Sequence, residues 1–348
     1  MTQLIDRKLI LASRPQGEVS AENVQLVEVP VVPLRPGQVR LRTIYSSIDP
    51  AMRIRMREAK SYISPFAIGD VLGTYSVGQI MESQSENFTP GSFVWSYTGW
   101  QLYPAVNARM AFPLTSVDLP LSTYLGVLGF TGFTAWVGLE DIGRPRAGET
   151  VLVTAASGAV GSIAGQLAVR AGARVVGMTS GAERCAMLTQ DYGFHATIDR
   201  TAPDLAGQLT AACPNGIDVF FDNTGGPIQH LALPCMNQRG RVVICGMVSQ
   251  YNDVAPEPGP NLMIAAASRL RIEGFIASDS VDRLPAYQTQ AAPWVREGSL
   301  RAQETIVQGL EAAPAAFAAL LRGDKAGKIS LQLSTDPFAP ERGPGLAG

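Results

Sequence analysis

Short strand-like runs with frequent turn signals occupy the chain up to about residue 125. Residues 39–45 and 71–81 have the alternation of apolar and polar positions that is typical of strands, and Pro90-Gly91 marks a turn before the next such run. This pattern predicts an irregular antiparallel, barrel-like β domain in the first third of the chain.

From about residue 126, apolar runs alternate with segments of helical periodicity. Such alternation is typical of βαβ units, and it predicts an α/β fold with a doubly wound parallel sheet. A helix is predicted at residues 163–171. The predicted strands cover residues 151–154, 175–178, 196–198, 219–221, 242–246 and 272–276.

Beyond residue 300 the pattern becomes strand, helix and strand, at residues 304–307, 313–321 and 328–333. We interpret these elements as a return of the chain to its first domain. The predicted division is therefore 1–126 with 300–348 as one domain, and 127–299 as the other. Residues 335–348 contain three prolines and three glycines, and we expect them to form a loose tail.

The most informative motif is VLVTAASGAVGS at residues 151–162, where a buried strand turns into a helix. Its two glycines let the backbone approach a pyrophosphate, and the helix start offers unpaired N–H groups. The motif is degenerate, because Ala156 stands where the dinucleotide-binding fingerprint has its first glycine, and the alternative is a tight turn that binds nothing. The predicted phosphate-binding residues are Ser157, Gly158, Ala159, Val160 and Gly161.

The end of the second strand indicates which nicotinamide nucleotide would bind. NAD-binding proteins place an acidic residue there, on the ribose hydroxyl. Here Thr179 and Ser180 occupy that position, no acid follows until Glu183, and Arg184 comes next. A carboxylate would repel a 2′-phosphate, whereas hydroxyls and a cation would accept it, so the loop favours NADP over NAD. The alternative for Arg184 is a solvated charge on a helix.

Composition limits the classes of protein to which the chain can belong and the partners that it can have. The 348 residues suggest about two domains, and 46% hydrophobic with 17% charged residues suits a globular core. The net charge of −2 and the lack of a basic block argue against a nucleic-acid partner. No stretch has membrane-spanning length and the N-terminus lacks a signal peptide, so we expect no membrane partner and a cytoplasmic location.

The residues that commonly bind metal ions are few and scattered. The four cysteines form no CxxC pair, and His195 and His230 are the two histidines of the sequence. This pattern predicts no metal site.

Several longer stretches resemble one known family. They include SSIDPAMRIRM at 46–56, LGFTGFTAW at 128–136, GIDVFFDNTGG at 216–226 and RVVICGMVSQYN at 241–252. The chain resembles the medium-chain dehydrogenase/reductase superfamily, in the zinc-independent branch of prostaglandin, leukotriene, alkenal double-bond and curcumin-type reductases. The resemblance implies a Rossmann NADP-binding domain plus a GroES-like β-barrel catalytic domain. It also implies hydride transfer from NADPH to the β-carbon of an α,β-unsaturated ketone or aldehyde.

The same resemblance assigns cofactor contacts in this chain. Arg184 takes the place of a lysine that meets the 2′-phosphate, and Arg200 replaces a tyrosine that flanks it. Lys325 replaces an asparagine, so that contact is either lost or replaced by a charge. The other residues implied to contact NADP are Asn223, Cys245, Gly246, Met247, Ser249, Tyr251, Phe275, Ile276 and Ala277.

Two tyrosines are the predicted catalytic residues, and both are implied to face the substrate carbonyl. Hydride addition to the β-carbon places negative charge on the carbonyl oxygen, and a neutral phenol at Tyr251 or Tyr62 would stabilise that oxygen. The α-carbon proton would come from a tyrosine or from water. The alternative for each is a packing role with a surface hydroxyl. Ala51, where the family has tyrosine, and Met263 are predicted to shape the substrate pocket.

Other functions remain open at this stage. A quinone oxidoreductase shares the zinc-independent scaffold, and a non-catalytic NADP-binding protein would bind the nucleotide without turnover. The lack of zinc ligands argues against an alcohol dehydrogenase. The family commonly forms two-fold dimers through the edge strand of the cofactor sheet, so we expect a homodimer. The run at 270–276 is the candidate edge strand, and an internal strand is the alternative.

Overall fold

The computed structural model describes residues 3–114, 117–253 and 257–339. The chain divides into two compact units. Unit 1 consists of Met1–Leu125, Ile306–Arg322 and Ile329–Gly348, and unit 2 of Gly126–Thr305 and Gly323–Lys328. The predicted loose tail lies outside the described residues from 340 onward.

Unit 1 is built mainly from antiparallel strands. One sheet has the order β14-β15-β3-β4-β5-β7, with β6 paired to β3, and β1 and β2 form a separate ribbon. Closure of the larger sheet into a barrel remains a prediction. The elements are β1 (Ile5–Leu11), β2 (Val24–Pro30), β3 (Gln38–Ser47), α1 (Ala51–Arg55), β4 (Tyr75–Ser83), β5 (Phe93–Tyr97), β6 (Ala105–Asn107) and β7 (Ala111–Pro113).

Alternation within the strands creates the core of unit 1. Val39 and Leu41 on β3 share a buried cluster with Ile80 on β4 and Val94 on β5. A second cluster lies under Trp100, whose ring meets Phe317 edge-on with centroids 5.8 Å apart. Because Phe317 lies on a helix near the C-terminus, the returning segment completes this core.

Unit 2 contains a six-stranded parallel sheet of order β10-β9-β8-β11-β12-β13, as the alternation of apolar and helical segments predicts. Strand order reverses between β8 and β11. In doubly wound sheets, ligands bind beyond the carboxyl ends of the strands at this reversal. The strands are β8 (Thr150–Val153), β9 (Arg174–Thr179), β10 (Ala196–Asp199), β11 (Ile217–Asp222), β12 (Met236–Ile244) and β13 (Arg271–Gly274).

Helices connect these strands and cover the sheet. Leu152, Val176, Phe220 and Val242 are buried in the sheet interior, as parallel strands covered on both faces require. Within the described residues, no helix combines the length and apolarity needed to cross a bilayer. The helices are α2 (Phe130–Val137), α3 (Ala159–Arg170), α4 (Ala182–Gln190), α5 (Leu205–Ala212), α6 (Pro227–Ala232), α7 (Met263–Ser268) and α8 (Leu284–Arg296).

The C-terminal elements are β14 (Glu304–Gln308), α9 (Ala313–Arg322) and β15 (Lys328–Gln332). Residues 300–305 and 323–328 group with unit 2, whereas the sequence pattern places them in the first domain. Hydrogen bonds give the reason. The Gly327 N–H donates to the Ser157 carbonyl at 2.8 Å, and the Lys328 N–H donates to the Gln303 carbonyl at 2.8 Å.

Candidate active site

The turn from β8 into α3 has the geometry of an anion-binding helix start. Ala155 has a φ of +46°, and Gly158 precedes the first helical residue. A Cβ on Gly161 would lie 2.4 Å from the Ala155 carbonyl oxygen, so this close approach requires glycine. No side chain among the described residues caps the helix start. No side chain therefore occupies the N–H groups of its first turn, such as that of Val160, and N–H groups at a helix start can bind an anion.

Hydroxyl groups connect this turn to the end of β9. The Ser157 and Thr179 hydroxyl oxygens are 2.6 Å apart, and both residues are buried. Next to them, Arg200 donates from Nε to the Ser180 hydroxyl at 2.6 Å. The structure thus brings Thr179, Ser180 and Arg200 together beside the glycine turn.

Asp199 is an acidic residue at this place, and it is not among the site residues predicted from the sequence. It ends β10, the strand beside β9, and its Oδ1 accepts hydrogen bonds from the Gly181 N–H at 3.0 Å and the Thr201 hydroxyl at 2.6 Å. Hydrogen bonds from Thr201 and Gly181 hold the pKa of Asp199 below its usual range. The sheet order was the missing information, since the two strand ends are 20 residues apart in sequence.

The segment 323–328 is attached to the same region at two points. Arg184 donates from Nη1 to the Gly323 carbonyl at 2.7 Å and from Nη2 to the Asp324 carbonyl at 2.8 Å. The bond from Gly327 to Ser157 forms the second attachment. Lys325 is exposed and lies between the two attachments. Arg184 thus holds this segment in place and retains further N–H donors for a ligand.

Asp222, at the end of β11, organises the strand reversal. It is fully buried, and its Oδ1 accepts bonds from the Thr154 hydroxyl at 2.9 Å and from the N–H groups of Thr224 and Gly225 at 3.0 Å each. Its Oδ2 accepts from Gln229 Nε2 at 2.8 Å. Asp222 is not among the residues predicted from the sequence, although an acid that ends an apolar strand (IDVFFD) indicates a hydrogen-bonded buried carboxylate.

Asn223 and the loop after β12 are fixed to this centre. Asn223 donates from Nδ2 to the Thr154 carbonyl at 2.7 Å. The Cys245 N–H donates to the Asp222 carbonyl at 2.9 Å, and the Ser249 hydroxyl donates to the Thr224 carbonyl at 2.7 Å. Burial, and then the Asp222 charge, raise the pKa of the Cys245 thiol to about 12, so this group is a neutral thiol.

Tyr251 lies at the end of this fixed loop. A Cβ on Gly246 would lie 3.2 Å from the Tyr251 hydroxyl, so the ring folds back over that glycine. Met247 packs in the same way on Gly225, where a Cβ would meet the Met247 side chain at 2.9 Å. The structure therefore brings Tyr251 to the carboxyl end of β12, close to the strand reversal.

The remaining unit 2 candidates are less closely grouped. Phe275 follows β13, and its ring would lie 2.9 Å from a Cβ on Gly138. Ile276 is half-buried and Ala277 is buried. Met263, the first residue of α7, is 70% exposed.

Tyr62, one of the two candidates of unit 1, lies near an aromatic group that was not predicted from the sequence. Ala51 begins α1, and Tyr62 is 55% exposed in the loop that follows. Tyr75 and Tyr97 face each other across β4 and β5, with ring centroids 5.1 Å apart. Burial, and then the neighbours Tyr97, Asp49 and Tyr62, raise the pKa of Tyr75. The pairing of β4 with β5 brings these rings together, and that pairing would have been needed to predict the group from the sequence.

Arg55 adds a cation to this aromatic group. Its Nη1 donates to the Tyr97 hydroxyl, and its guanidinium lies 3.9 Å from the centre of the Phe66 ring. The Tyr97 hydroxyl in turn donates to the Gly73 carbonyl at 2.7 Å. Among the aromatic residues and the arginine of this group, only Tyr62 was predicted from the sequence as a site residue.

The donors for a zinc ion are not assembled in the part of the chain that the structure describes. No group of three His, Cys, Asp or Glu side chains converges there. His195 uses its Nδ1 to accept a bond from the Val175 N–H at 3.1 Å, and the four cysteines are free thiols. The described residues therefore do not assemble a zinc site.

Comparisons with known proteins match both parts of the chain. Residues 7–114 match the family model described as "N-terminal domain of oxidoreductase", and residues 159–293 match "Zinc-binding dehydrogenase". The chain is 41% identical over 337 residues to the NADPH-dependent curcumin reductase of Escherichia coli (strain K12), covering 95% of this chain and 98% of that protein. It is 34% identical over 340 residues to a 2-alkenal reductase (NADP(+)-dependent) of Nicotiana tabacum, covering 96% and 99%.

A solved structure shares the fold over nearly its whole length. The crystal structure of CurA in complex with NADPH from Vibrio vulnificus superposes with a TM-score of 0.89 at 38% identity, covering 94% of this chain and 99% of that one. The parallel sheet, the separate antiparallel sheet and these full-length matches confirm the family expected from the motifs. The chain belongs to the medium-chain dehydrogenase/reductase family, in its curcumin-reductase-like branch.

Proposed function

We propose that this protein reduces the carbon–carbon double bond of α,β-unsaturated ketones and aldehydes with NADPH. One observation carries the proposal: Tyr251 stands on a loop that Asp222 fixes at the strand reversal. A phenol held there can stabilise negative charge on a substrate oxygen. The names of the curcumin reductase and alkenal reductase relatives, and the NADPH complex of the structural relative, support the same reaction.

The residues present fit NADPH. The open N–H groups at the start of α3 would hold the pyrophosphate. We expect the 2′-phosphate to lie among Ser180, Arg200, Arg184 and Lys325. In support, Arg200 donates to Ser180 beside the end of β9, and Arg184 holds the segment that carries Lys325. When bound, NADPH supplies a hydride. The residues proposed for the rest of the cofactor are Asn223, Cys245, Gly246, Met247, Ser249, Phe275, Ile276 and Ala277.

The chain's own part in the reaction is to bind and stabilise the substrate oxygen. As the β-carbon gains a hydride, negative charge develops on the carbonyl oxygen, and Tyr251 donates a hydrogen bond to it. Such a donor contributes on the order of 3 kcal/mol to transition-state stabilisation. The α-carbon then takes a proton from a tyrosine or from water. The family resemblance and the 55% exposure of the residue support Tyr62 as a second donor.

The reaction class is tested by NADPH consumption against an enone, an enal and a benzoquinone, with NADH in parallel. We expect turnover of the enone and enal with NADPH and much weaker turnover with NADH. Because Ala51 stands where the family has a tyrosine ring, we expect the protein to accept substrates with bulky groups near the carbonyl. NADPH binding without turnover of any member of the panel would contradict the proposal, and so would a preference for NADH.

The 2′-phosphate contact gives a second prediction. Arg200→Ala is expected to raise the KM for NADPH about tenfold or more, because a charge-assisted hydrogen bond is worth about 1.5–3 kcal/mol. The KM for NADH should stay the same, since NADH lacks the phosphate. Arg35→Ala, at an exposed arginine of unit 1, is the control. An equal change for both nucleotides would show that Arg200 does not contact the phosphate.

We also propose a homodimer formed through β13. This strand ends the six-stranded sheet of unit 2, and it carries Ile272 with 39% of its surface exposed. An open strand edge can pair with the same edge of a second copy by two-fold symmetry. Light scattering after size exclusion should give the mass of two chains, and a monomer mass at micromolar concentration would refute the pairing.

A further inference from the structure

A pocket lined almost wholly by arginine lies in unit 2 at the opposite end of the sheet from the candidate active site. Its volume is about 400 Å³. The pocket lies at a row of paired residues that crosses four strands, near the start of β8 and β13. This row consists of Val151 in β8, Val219 in β11, Arg241 in β12 and Arg271 in β13. We call it the arginine pocket, and its lining consists of Ile142, Arg144, Arg146, Arg239, Arg241, Arg269 and Arg271.

The six arginines come from three Arg-x-Arg sequences, one before β8, one within β12 and one at the start of β13. They are RPR at 144–146, RGR at 239–241 and RLR at 269–271. No two of these sequences are adjacent in the chain, so the sequence shows no basic block. The parallel sheet brings them into one pocket.

The first arginine of each sequence has a left-handed backbone. The φ angles are +42° at Arg144, +64° at Arg239 and +52° at Arg269. In the described part of the chain, Ala155 at the glycine turn is the one other non-glycine residue with positive φ. Such conformations are uncommon for residues with a Cβ. Arg144 and Arg269 are the left-handed residues that end the helical segments before them, and Arg239 lies within β12. Such conformations occur here at the glycine turn and at the arginine pocket.

Two of the six charges are neutralised within the protein. Arg241 donates from both terminal nitrogens to Glu149, at 2.9 and 2.7 Å, and Arg271 donates from Nε to Glu273 at 2.7 Å. The nearby Asp218 carboxylate accepts instead from the Thr150 N–H and from Asn237. Within the described ranges, no carboxylate lies at ion-pair distance from the other four guanidinium groups, those of Arg144, Arg146, Arg239 and Arg269.

We propose that the arginine pocket binds a small anion with two or three linked phosphate groups. Guanidinium groups match phosphate oxygens with paired, planar hydrogen bonds. The volume lies in the range of small-molecule sites. A di- or triphosphate chain carries more phosphate oxygens than a single phosphate, so it can contact more of the arginines that line the pocket. Binding would relieve their mutual repulsion and so stabilise the fold.

The test uses the full chain saturated with NADPH, so that the dinucleotide site is filled. Tripolyphosphate is titrated by calorimetry at low salt, with orthophosphate in parallel. We expect saturable binding of one tripolyphosphate per chain, at least tenfold tighter than orthophosphate, and a rise in Tm. Arg239→Gly and Arg146→Glu should each weaken it at least tenfold. Glycine accepts the positive φ at position 239, so that variant keeps its fold, and Arg35→Ala should bind as the unmodified chain does.

Comparing tripolyphosphate with ATP separates two sources of the same chemistry. If ATP and tripolyphosphate bind with equal affinity, the pocket recognises the phosphate chain alone. If ATP binds more tightly, the pocket also recognises the nucleoside. Either result supports the site. The proposal is overturned if tripolyphosphate does not saturate, if NADPH displaces it, or if Arg239→Gly and Arg146→Glu bind it undiminished. Binding of a short DNA duplex without binding of tripolyphosphate would also overturn it.

Discussion

Tyr251→Phe is expected to lower kcat for an enone about 100- to 1000-fold, the loss typical of removing one oxyanion donor. The ring of phenylalanine preserves the packing over Gly246, and only the hydroxyl is lost. The KM for NADPH should change little, because the change affects charge that develops in the transition state. Steady-state rates of NADPH oxidation measure both values.

The controls distinguish a catalytic from a packing role for this tyrosine. Tyr103→Phe removes a hydroxyl from another half-buried tyrosine and should leave kcat unchanged. A benzoquinone needs less specific stabilisation of its oxygen, so Tyr251→Phe should barely slow its reduction. Equal, small losses on the enone and the quinone would show that the Tyr251 hydroxyl plays no part in catalysis.

Asp222→Ala is expected to lower the free energy of unfolding by about 3–5 kcal/mol, because it leaves several buried donors without an acceptor. These donors belong to Thr154, Thr224, Gly225 and Gln229. NADPH affinity should fall as well, since the same carboxylate fixes Thr154 after β8 and the loop after β11. Urea unfolding and fluorescence titration with NADPH measure the two effects.

The isosteric variant provides the matched comparison. Asp222→Asn keeps an oxygen for the donors at Oδ1, and the Gln229 amide can rotate to accept from the new amide group. We expect it to lose less than half as much stability as the alanine variant. If Asp222→Ala were as stable as the unmodified chain, the account of the strand reversal would be wrong.

The parallel sheet was predictable because buried parallel strands are continuous apolar runs in the sequence. The strand predicted at 175–178 matches Arg174–Thr179 within one residue at each end. The strand predicted at 242–246 instead begins at Met236, because MNQRGR has no apolar run. There, pairing with β11 and β13 forms the strand, and a sequence pattern does not contain that pairing.

Helix α3 shows a second limit. Its predicted start at residue 163 lies one turn after the observed start at Ala159. Gly161 lowers the helix propensity of this first turn. Its close contact with the Ala155 carbonyl requires a glycine there. Helix propensity therefore does not predict the first turn of α3, whose open N–H groups belong to the candidate site.

The candidate site was predictable only where its residues belong to one motif. The glycine turn and the loop from Cys245 to Tyr251 each lie in one continuous stretch. Asp199 reaches the site through strand order and Lys325 through attachment of a distant segment. The arginine pocket depends in the same way on the alignment of strands far apart in the chain. Long-range pairing, which composition and period do not encode, decides all of these.

The position of hydride delivery tests the central claim most directly. The protein would reduce an enone with NADPH that carries two deuterium atoms at the transferable nicotinamide carbon, and NMR would locate the label in the product. We predict a saturated ketone with one deuterium on the former β-carbon. Deuterium on the carbonyl carbon of an unsaturated alcohol would contradict the reaction proposed for this protein.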